Sequence, residues 1–280
     1  MHLTEEKIKD LEIKANDIRE SIIEMLVEAG SGHTAGPLGM ADIFTLFYFH
    51  ILKHDPKNPT LEDRDRVVLS NGHICPVLYA TMAHAGYFPV EELKTLRKFG
   101  TRLQGHPHRE YLSSLENSSG PLGSGLSQAV GMALADKMDK KDKDRFIYCF
   151  MSDGEMDEGN TWEAMMLAGK HKLRNLIAVV DRNNIQIEGY TEDVMPLEPF
   201  HAKWKSFNWH VIEVSGHDFR SLNEVVEEAQ AIYEKPTVII AHTIPGKGVK
   251  EFERDYKWHG KPPSKEEGEM ALKELLNNRF

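Results

Sequence analysis

Apolar side chains recur near the start of the chain at Ile8, Leu11, Ile18, Ile22 and Leu26, the three-to-four spacing of one helix face. Thr4 stands where an N-cap belongs and Gly30 where a left-handed stop belongs, so the pattern predicts one long opening helix. Farther on the period changes. Segments 146–151, 176–180, 211–214 and 238–241 are short, apolar and mostly β-branched or aromatic. Continuous apolarity, in place of alternation, predicts strands covered on both faces. Helical stretches at 160–172 and 220–233 separate them and give a strand–helix–strand rhythm. The expected fold is therefore α/β, a doubly wound, mostly parallel sheet with helices on both faces. The stretch 136–145 carries both charge signs and reads as a solvated helix end and turn. The last twenty residues, with Met270, Leu272, Leu275 and Leu276 as their apolar set, read as one exposed terminal helix. No linker or repeat divides the chain, so residues 1–280 read as a single domain.

Composition narrows the function. The chain has 34 basic and 44 acidic side chains, a net charge of −10, and a hydrophobic fraction of 40%. That fraction is enough for a folded core. An acidic balance leaves no basic stripe for phosphate backbones, so nucleic acid is not an expected partner. Cys75 and Cys149 lie in apolar surroundings and read as buried free thiols of a reducing compartment. The first residues lack a leader's apolar core, and no apolar run is long enough for a bilayer. The expectation is a cytoplasmic protein without a membrane partner.

The chemistry starts where two apolar segments end. One runs into Asp153-Gly154, and 30 residues later the next runs into Asp181-Arg182-Asn183. Such a separation is about one βαβ unit, whose right-handed crossover returns the chain parallel to itself. Asp153 and Asn183 would then share the carboxyl edge of the sheet, where open α/β folds bind ligands. A carboxylate, an amide oxygen and a nearby main-chain carbonyl form an incomplete set of hard oxygen donors, which suits Mg²⁺ completed by water and phosphate. Helix capping by Asp153 and a turn at Asn183 would look the same. The glycine-rich run 119–126 precedes an Ala/Met/Leu-rich helix at 127–138, an entry whose backbone amides can approach an anion closely. A tight turn without function would also look like this. Finally, Gly32-His33, Gly72-His73, Gly105-His106 and His259-Gly260 pair histidine with glycine. Four such pairs suggest imidazoles presented on tight loops into an open site, where both protonation states are accessible near neutral pH.

Six segments taken in order resemble transketolase. They are Ser31-Gly-His-Thr-Ala-Gly-Pro-Leu-Gly-Met-Ala-Asp42, Leu69-Ser-Asn-Gly-His73, Ser119-Gly-Pro-Leu-Gly-Ser-Gly125, Ser152-Asp-Gly with Glu158-Gly, Asp181-Arg-Asn-Asn-Ile-Gln-Ile-Glu-Gly189 and Trp258-His-Gly-Lys261. The resemblance covers only the N-terminal, diphosphate-binding part of that family. It implies thiamine diphosphate and a divalent metal, Mg²⁺ or in its place Ca²⁺ or Mn²⁺, held by Asp153, Asn183 and the carbonyl of Ile185. It implies that Gly154 and the Gly120-Pro121-Leu122 turn line the cofactor. His73 would contact the cofactor, and His106 would lie between it and the donor sugar. His33 and His259 would face the substrate, with His259 also beside the cofactor. Glu158 resembles a glutamate at the family's subunit interface. Two positions depart from the pattern: Ser152 replaces a glycine, which matters only if the backbone there needs a positive φ, and Thr34 replaces a proline.

The implied reaction is transfer of a two-carbon ketol unit from a ketose phosphate to an aldose phosphate, with proton transfers at sugar hydroxyls assigned to His33, His106 and His259. The family's cofactor-activating glutamate belongs to a pyrimidine-binding domain that this sequence does not resemble. The resemblance thus implies the N-terminal subunit of a split transketolase, active with a C-terminal subunit in an α2β2 assembly. Competing readings are a subunit of a 2-oxo acid dehydrogenase, a fragment of a deoxyxylulose-phosphate synthase, or a non-catalytic Mg²⁺–diphosphate-binding module. The Ser-Asn-Gly-His, Gly-Pro-Leu-Gly and Trp-His-Gly-Lys segments and the intact histidine set favour transketolase over all three.

Overall fold

The computed structural model describes residues 3–142 and 145–277. Among these residues the sheet has five parallel strands, β1 (Arg66–Leu69), β2 (Ile147–Ser152), β3 (Leu176–Arg182), β4 (His210–Ser215) and β5 (Thr237–His242), in the order β1-β2-β3-β5-β4. Successive side chains point to opposite faces, and both faces are covered. On one face Tyr148, Phe150, Ile177, Val179, Ile239 and Ala241 join one buried cluster. On the other Ile147, Cys149, Met151, Ala178, Val180, Val238 and Ile240 join a second. This two-sided burial is why the four expected strands read as unbroken apolar runs. The fifth strand, β1, was not among them. It is four residues long, begins with a charge and pairs at the sheet edge, so it shows no run to find.

The first cluster is capped by α1 (Glu5–Ala29), α2 (Ala35–Gly39), α3 (Ala41–Leu46), α4 (Cys75–His84), and two helices from later in the chain. In α1 the Thr4 hydroxyl accepts from the Lys7 N–H at 3.2 Å, and Gly30 closes the helix at φ 60°. Leu11, Ile18, Ile22 and Leu26 are buried, and Ile8 packs against them partly covered. Phe44 and Phe47 lie on Phe150 with ring centroids 4.7 and 5.0 Å apart, which fixes the helix layer on the centre of the sheet. The second cluster receives α5 (Ser124–Met138), α6 (Gly159–His171) and, beyond the short α7 (Thr191–Val194), α8 (Phe200–Ser206). Trp204 and Trp209 pack edge to face at 5.0 Å, and the Trp209 indole N–H donates to the Met165 carbonyl at 3.0 Å.

The remaining helices are α9 (Phe219–Ala231) and α10 (Lys265–Asn277), and both belong to the first layer. The expected helix 220–233 therefore stops short, leaving Tyr233 exposed under the Arg174 guanidinium. The terminal helix is less exposed than its charge suggested, because Gly268, Ala271 and Leu275 are buried while Leu276 faces solvent. The charged stretch 136–145 is a solvated helix end and turn over residues 137–140, as expected, but departs from that reading at Asp136. Asp136 is buried and accepts from the Arg145 Nε at 2.9 Å, so the stretch closes on itself at that end; residues 143–144 lie outside the described residues. Cys75 and Cys149 are buried free thiols, and burial pushes both upward in pKa. No helix among the described residues is long and apolar enough to cross a membrane.

Candidate functional site

Three neighbouring strands deliver polar residues to one edge of the sheet. β1 runs into Ser70-Asn71-Gly72-His73, β2 into Asp153-Gly154-Glu155, and β3 carries Asp181 and Arg182 before Asn183. The register sets Ser152 opposite Asp181, and the Asp153 N–H continues the ladder by donating to the Asp181 carbonyl at 3.1 Å. Asp153 and Asn183 are both buried. Ser152 is an extended strand residue outside the positive-φ positions, so serine fits there without strain.

The Asp153 carboxylate is fully surrounded. One oxygen accepts the Gly154 N–H at 2.8 Å; the other accepts the Asn184 N–H at 2.8 Å and an Arg182 guanidinium N–H at 3.1 Å. Burial pushes the carboxyl up to about 6, against the pull of Arg182 and the backbone donors. The Asn183 amide is held at both ends: its nitrogen donates to Asp181 at 2.7 Å and its oxygen accepts the Ile185 N–H at 3.0 Å. Asp181 is itself pushed up to about 7 by burial. Both candidate ligands thus also brace local turns, as the plainer reading of them required. Among the described residues no three His, Cys, Asp or Glu side chains converge as a self-sufficient metal centre. The donors at hand are a carboxylate, an amide oxygen and the Ile185 carbonyl, all hard oxygens. They fit a divalent cation of the Mg²⁺ kind that takes its other ligands from water and phosphate.

The glycine turn 120–122 stands beside this edge and leads through Gly123 into α5. Pro121 is exposed and Leu122 half-buried, whereas Gly123 is buried at φ 80°. A Cβ at Gly123 would lie 2.0 Å from the Asn160 side-chain oxygen, so only glycine passes there. The positive dipole end of α5 lies at the glycine turn and favours an anion there, although its first N–H groups are engaged, Ser124 with the Pro121 carbonyl at 3.4 Å and Gly125 with the Ser70 hydroxyl at 3.1 Å. Beneath the turn lies Glu155, with no exposure. Its carboxylate accepts the Ser70 hydroxyl, the Gly123 N–H at 2.5 Å and the Ser152 N–H at 3.2 Å. Burial pushes this carboxyl up to about 7. Asn71 (both amide atoms), Ser119 Oγ and Asn160 Oδ1 are buried polar atoms at this edge without a protein partner, which suits a polar ligand.

Three of the four glycine-flanked histidines meet. The ring centroids of His33 and His73 are 4.8 Å apart, those of His73 and His259 5.2 Å, and those of His33 and His259 5.5 Å. The Thr34 hydroxyl donates to the Lys261 carbonyl at 2.6 Å and ties the His33 loop to the His259 segment. Burial lowers His33 and His259 to about 4 and His73 well below its usual value. These rings are neutral at neutral pH, and Nδ1 of His33 and of His259 is buried without a partner. A neutral imidazole offers one N–H and one lone pair, so each ring can exchange a proton with a hydroxyl. His106 is the exposed member. It lies next to Gly120, whose Cβ position is 4.0 Å from its ring, and its charge bears on His33 and His73. Glu158 is exposed at the start of α6 and makes no side-chain cap there.

Two residues at this edge escaped the sequence reading. Glu155 reads as an ordinary acid after Asp-Gly, and only its partners Ser70 and Gly123, 85 and 32 positions away, reveal a buried tie. Arg182 reads as a strand-end cation, yet it is buried and pairs with Asp153, Glu192 at 2.7 Å and Glu198 at 2.9 Å. An arginine inside a strand that is otherwise apolar or acidic was the available signal.

Known proteins share this sequence and fold. The family described as the transketolase, thiamine diphosphate-binding domain matches residues 11–277. The chain is 42% identical to the 6-deoxy-6-sulfo-D-fructose transketolase subunit SqwG of a Clostridium species, over 98% of each chain. It is 38% identical to one subunit of the apulose-4-phosphate transketolase of Phocaeicola vulgatus, over 96% of this chain and 95% of that one. Its backbone superposes on the crystal structure of Campylobacter jejuni transketolase with a TM-score of 0.88 at 38% identity, covering 95% of this chain but 42% of that one. It therefore covers nearly all of two relatives named as transketolase subunits and less than half of the Campylobacter jejuni transketolase chain. The chain belongs to the transketolase family and corresponds to its N-terminal, thiamine diphosphate-binding part.

Proposed function

We propose that this chain is the diphosphate- and metal-binding half of a two-chain transketolase, which moves a two-carbon ketol unit from a ketose phosphate to an aldose phosphate. The observation that carries the reading is the meeting of two sets of groups at one end of the sheet: the hard oxygen donors of Asp153 and Asn183, and a cluster of neutral imidazoles in which Nδ1 of His33 and of His259 lacks a partner. When bound, thiamine diphosphate supplies the nucleophilic carbon and electron sink for cleavage beside a ketose carbonyl. This chain's residues do the rest on its side of the site. Asp153, Asn183 and the Ile185 carbonyl would hold Mg²⁺; Gly154 and the Gly120-Pro121-Leu122 turn would receive the diphosphate. His73 would pack against the cofactor, and His33, His106 and His259 would accept or return protons at sugar hydroxyls. Exposed Ile187, Tyr190, Val194 and Met195 follow the metal-ligand candidates directly in sequence, a surface suited to a partner. That partner would carry the pyrimidine-binding and C-terminal domains, in an α2β2 assembly in the cytoplasm.

Calorimetry tests the binding half of this reading. Thiamine diphosphate should bind the assembled protein with Mg²⁺ and lose at least about 100-fold in affinity with EDTA or in Asp153→Ala, because the diphosphate is then unneutralised. Equal affinity of wild type and Asp153→Ala would remove the metal assignment.

A further inference from the structure

Arg97 serves none of the roles above, yet its exposed side chain lies against the glycines of two histidine loops. Its backbone is left-handed, at φ 61°, and its N–H donates to the Leu103 carbonyl at 2.9 Å, closing the loop between them. The neighbouring cations have carboxylate partners: Lys98 pairs with Glu28 and Arg102 with Glu92. Arg97 instead donates to the Gly105 carbonyl at 3.2 Å. A Cβ at Gly105 would stand 2.8 Å from the guanidinium carbon and 2.9 Å from Nε, so the missing side chain lets residues 105–106 lie against the guanidinium. The Cβ position of Gly32 is 3.9 Å from the same Nε. The Arg97 side chain thus approaches both the glycine before His33 and the glycine before His106. From behind, the Cys75 thiol bonds the Gly105 carbonyl at 3.2 Å and the Tyr79 hydroxyl donates to the Gln104 carbonyl at 3.0 Å, anchoring the same loop on α4.

We propose that Arg97 is a positioning residue that sets the spacing of the His33 and His106 loops across the site; this rests on the reading that both histidines serve the reaction. The electrostatics agree. After burial, the Arg97 charge is the other cause lowering His106, and it adds to His259 and His106 in lowering His33. The titratable groups facing these rings are His73 and His259 across the site and, behind Arg97, Cys75 and Tyr79, both held neutral by burial. Lysine could supply the charge. It lacks the flat fork that spans a carbonyl on one side and a bare backbone on the other.

The test uses Arg97→Met, Arg97→Lys and Gly105→Ala, the last displacing the guanidinium without removing it. Histidine titrations by NMR on the chain alone read the charge, and turnover with the partner reads the spacing. In Arg97→Met both His33 and His106 should titrate closer to the ordinary imidazole range, and turnover should fall about tenfold with KM for thiamine diphosphate unchanged. Arg97→Lys should keep the wild-type titrations and still lose the turnover, and Gly105→Ala should lose turnover likewise. Wild-type titrations in Arg97→Met, or full turnover in Arg97→Lys, would overturn the proposal. The titrations need no partner and no ketol transfer, so they remain readable if the proposed activity fails.

Discussion

Asp153 and His259 face the same physical problem from opposite sides. Burial raises the carboxyl to about 6 and lowers the imidazole to about 4, because both environments favour the uncharged form. For Asp153 the pull of Arg182 and two backbone N–H groups keeps the charged form available to a metal. For His259 the result is a neutral ring at working pH. The sign of its contribution to stability follows. Between pH 6.5 and 4 the unfolded chain binds the proton and the folded chain refuses it. Stability from the neutral ring is complete above pH 6.5 and is lost as pH falls toward 4. The chain without cofactor should therefore lose stability from pH 7.5 to pH 5, with about 2 kcal/mol of the loss coming from this ring. His259→Asn should remove that share of the pH dependence in denaturant unfolding while leaving stability at pH 7.5 nearly unchanged. An identical slope in the variant would show that the ring is not held neutral.

At the scale of elements, the site depends on a carboxylate that ties three chain segments. Glu155 joins the end of β1 through Ser70, the entry of α5 through Gly123 and the end of β2 through Ser152. Glu155→Ala should leave two buried N–H groups without acceptors and cost about 2–4 kcal/mol in denaturant unfolding. It should also weaken thiamine diphosphate binding by about tenfold or more, since the glycine turn loses its anchor. Glu155→Gln keeps one acceptor oxygen and should fall between. A Glu155→Ala variant with wild-type stability and affinity would refute the tie. The same residue marks the limit of what the sequence discloses. The covered strands were legible because burial on both faces leaves an unbroken apolar run, and the placement of Asp153 and Asn183 at one end of the sheet was legible because each stands within three residues of the end of such a run. β1 was not, since four residues beginning with Arg66 carry no pattern. Glu155 and Arg97 were not, because their meaning lies in partners far along the chain or in the missing side chain of Gly105.

At the scale of the whole molecule, one sheet buries two apolar layers and leaves its carboxyl edge furnished but one-sided. The donors, glycine turn and imidazoles come from this chain, while Ile187, Tyr190, Val194 and Met195 remain exposed close by in sequence. The chain also covers 42% of the Campylobacter jejuni transketolase chain. Under the proposed reading a partner would close the site, and electrostatic interactions with a charged cofactor strengthen as water is excluded. The most direct measurement is ketol transfer by the purified chain with thiamine diphosphate, Mg²⁺, a ketose phosphate and an aldose phosphate, without and then with a second polypeptide carrying the pyrimidine-binding and C-terminal domains. The chain alone should show no turnover, and turnover should rise with added partner and saturate at one partner per chain. Turnover by the chain alone, proportional to its concentration, or none in the saturated mixture, would contradict it.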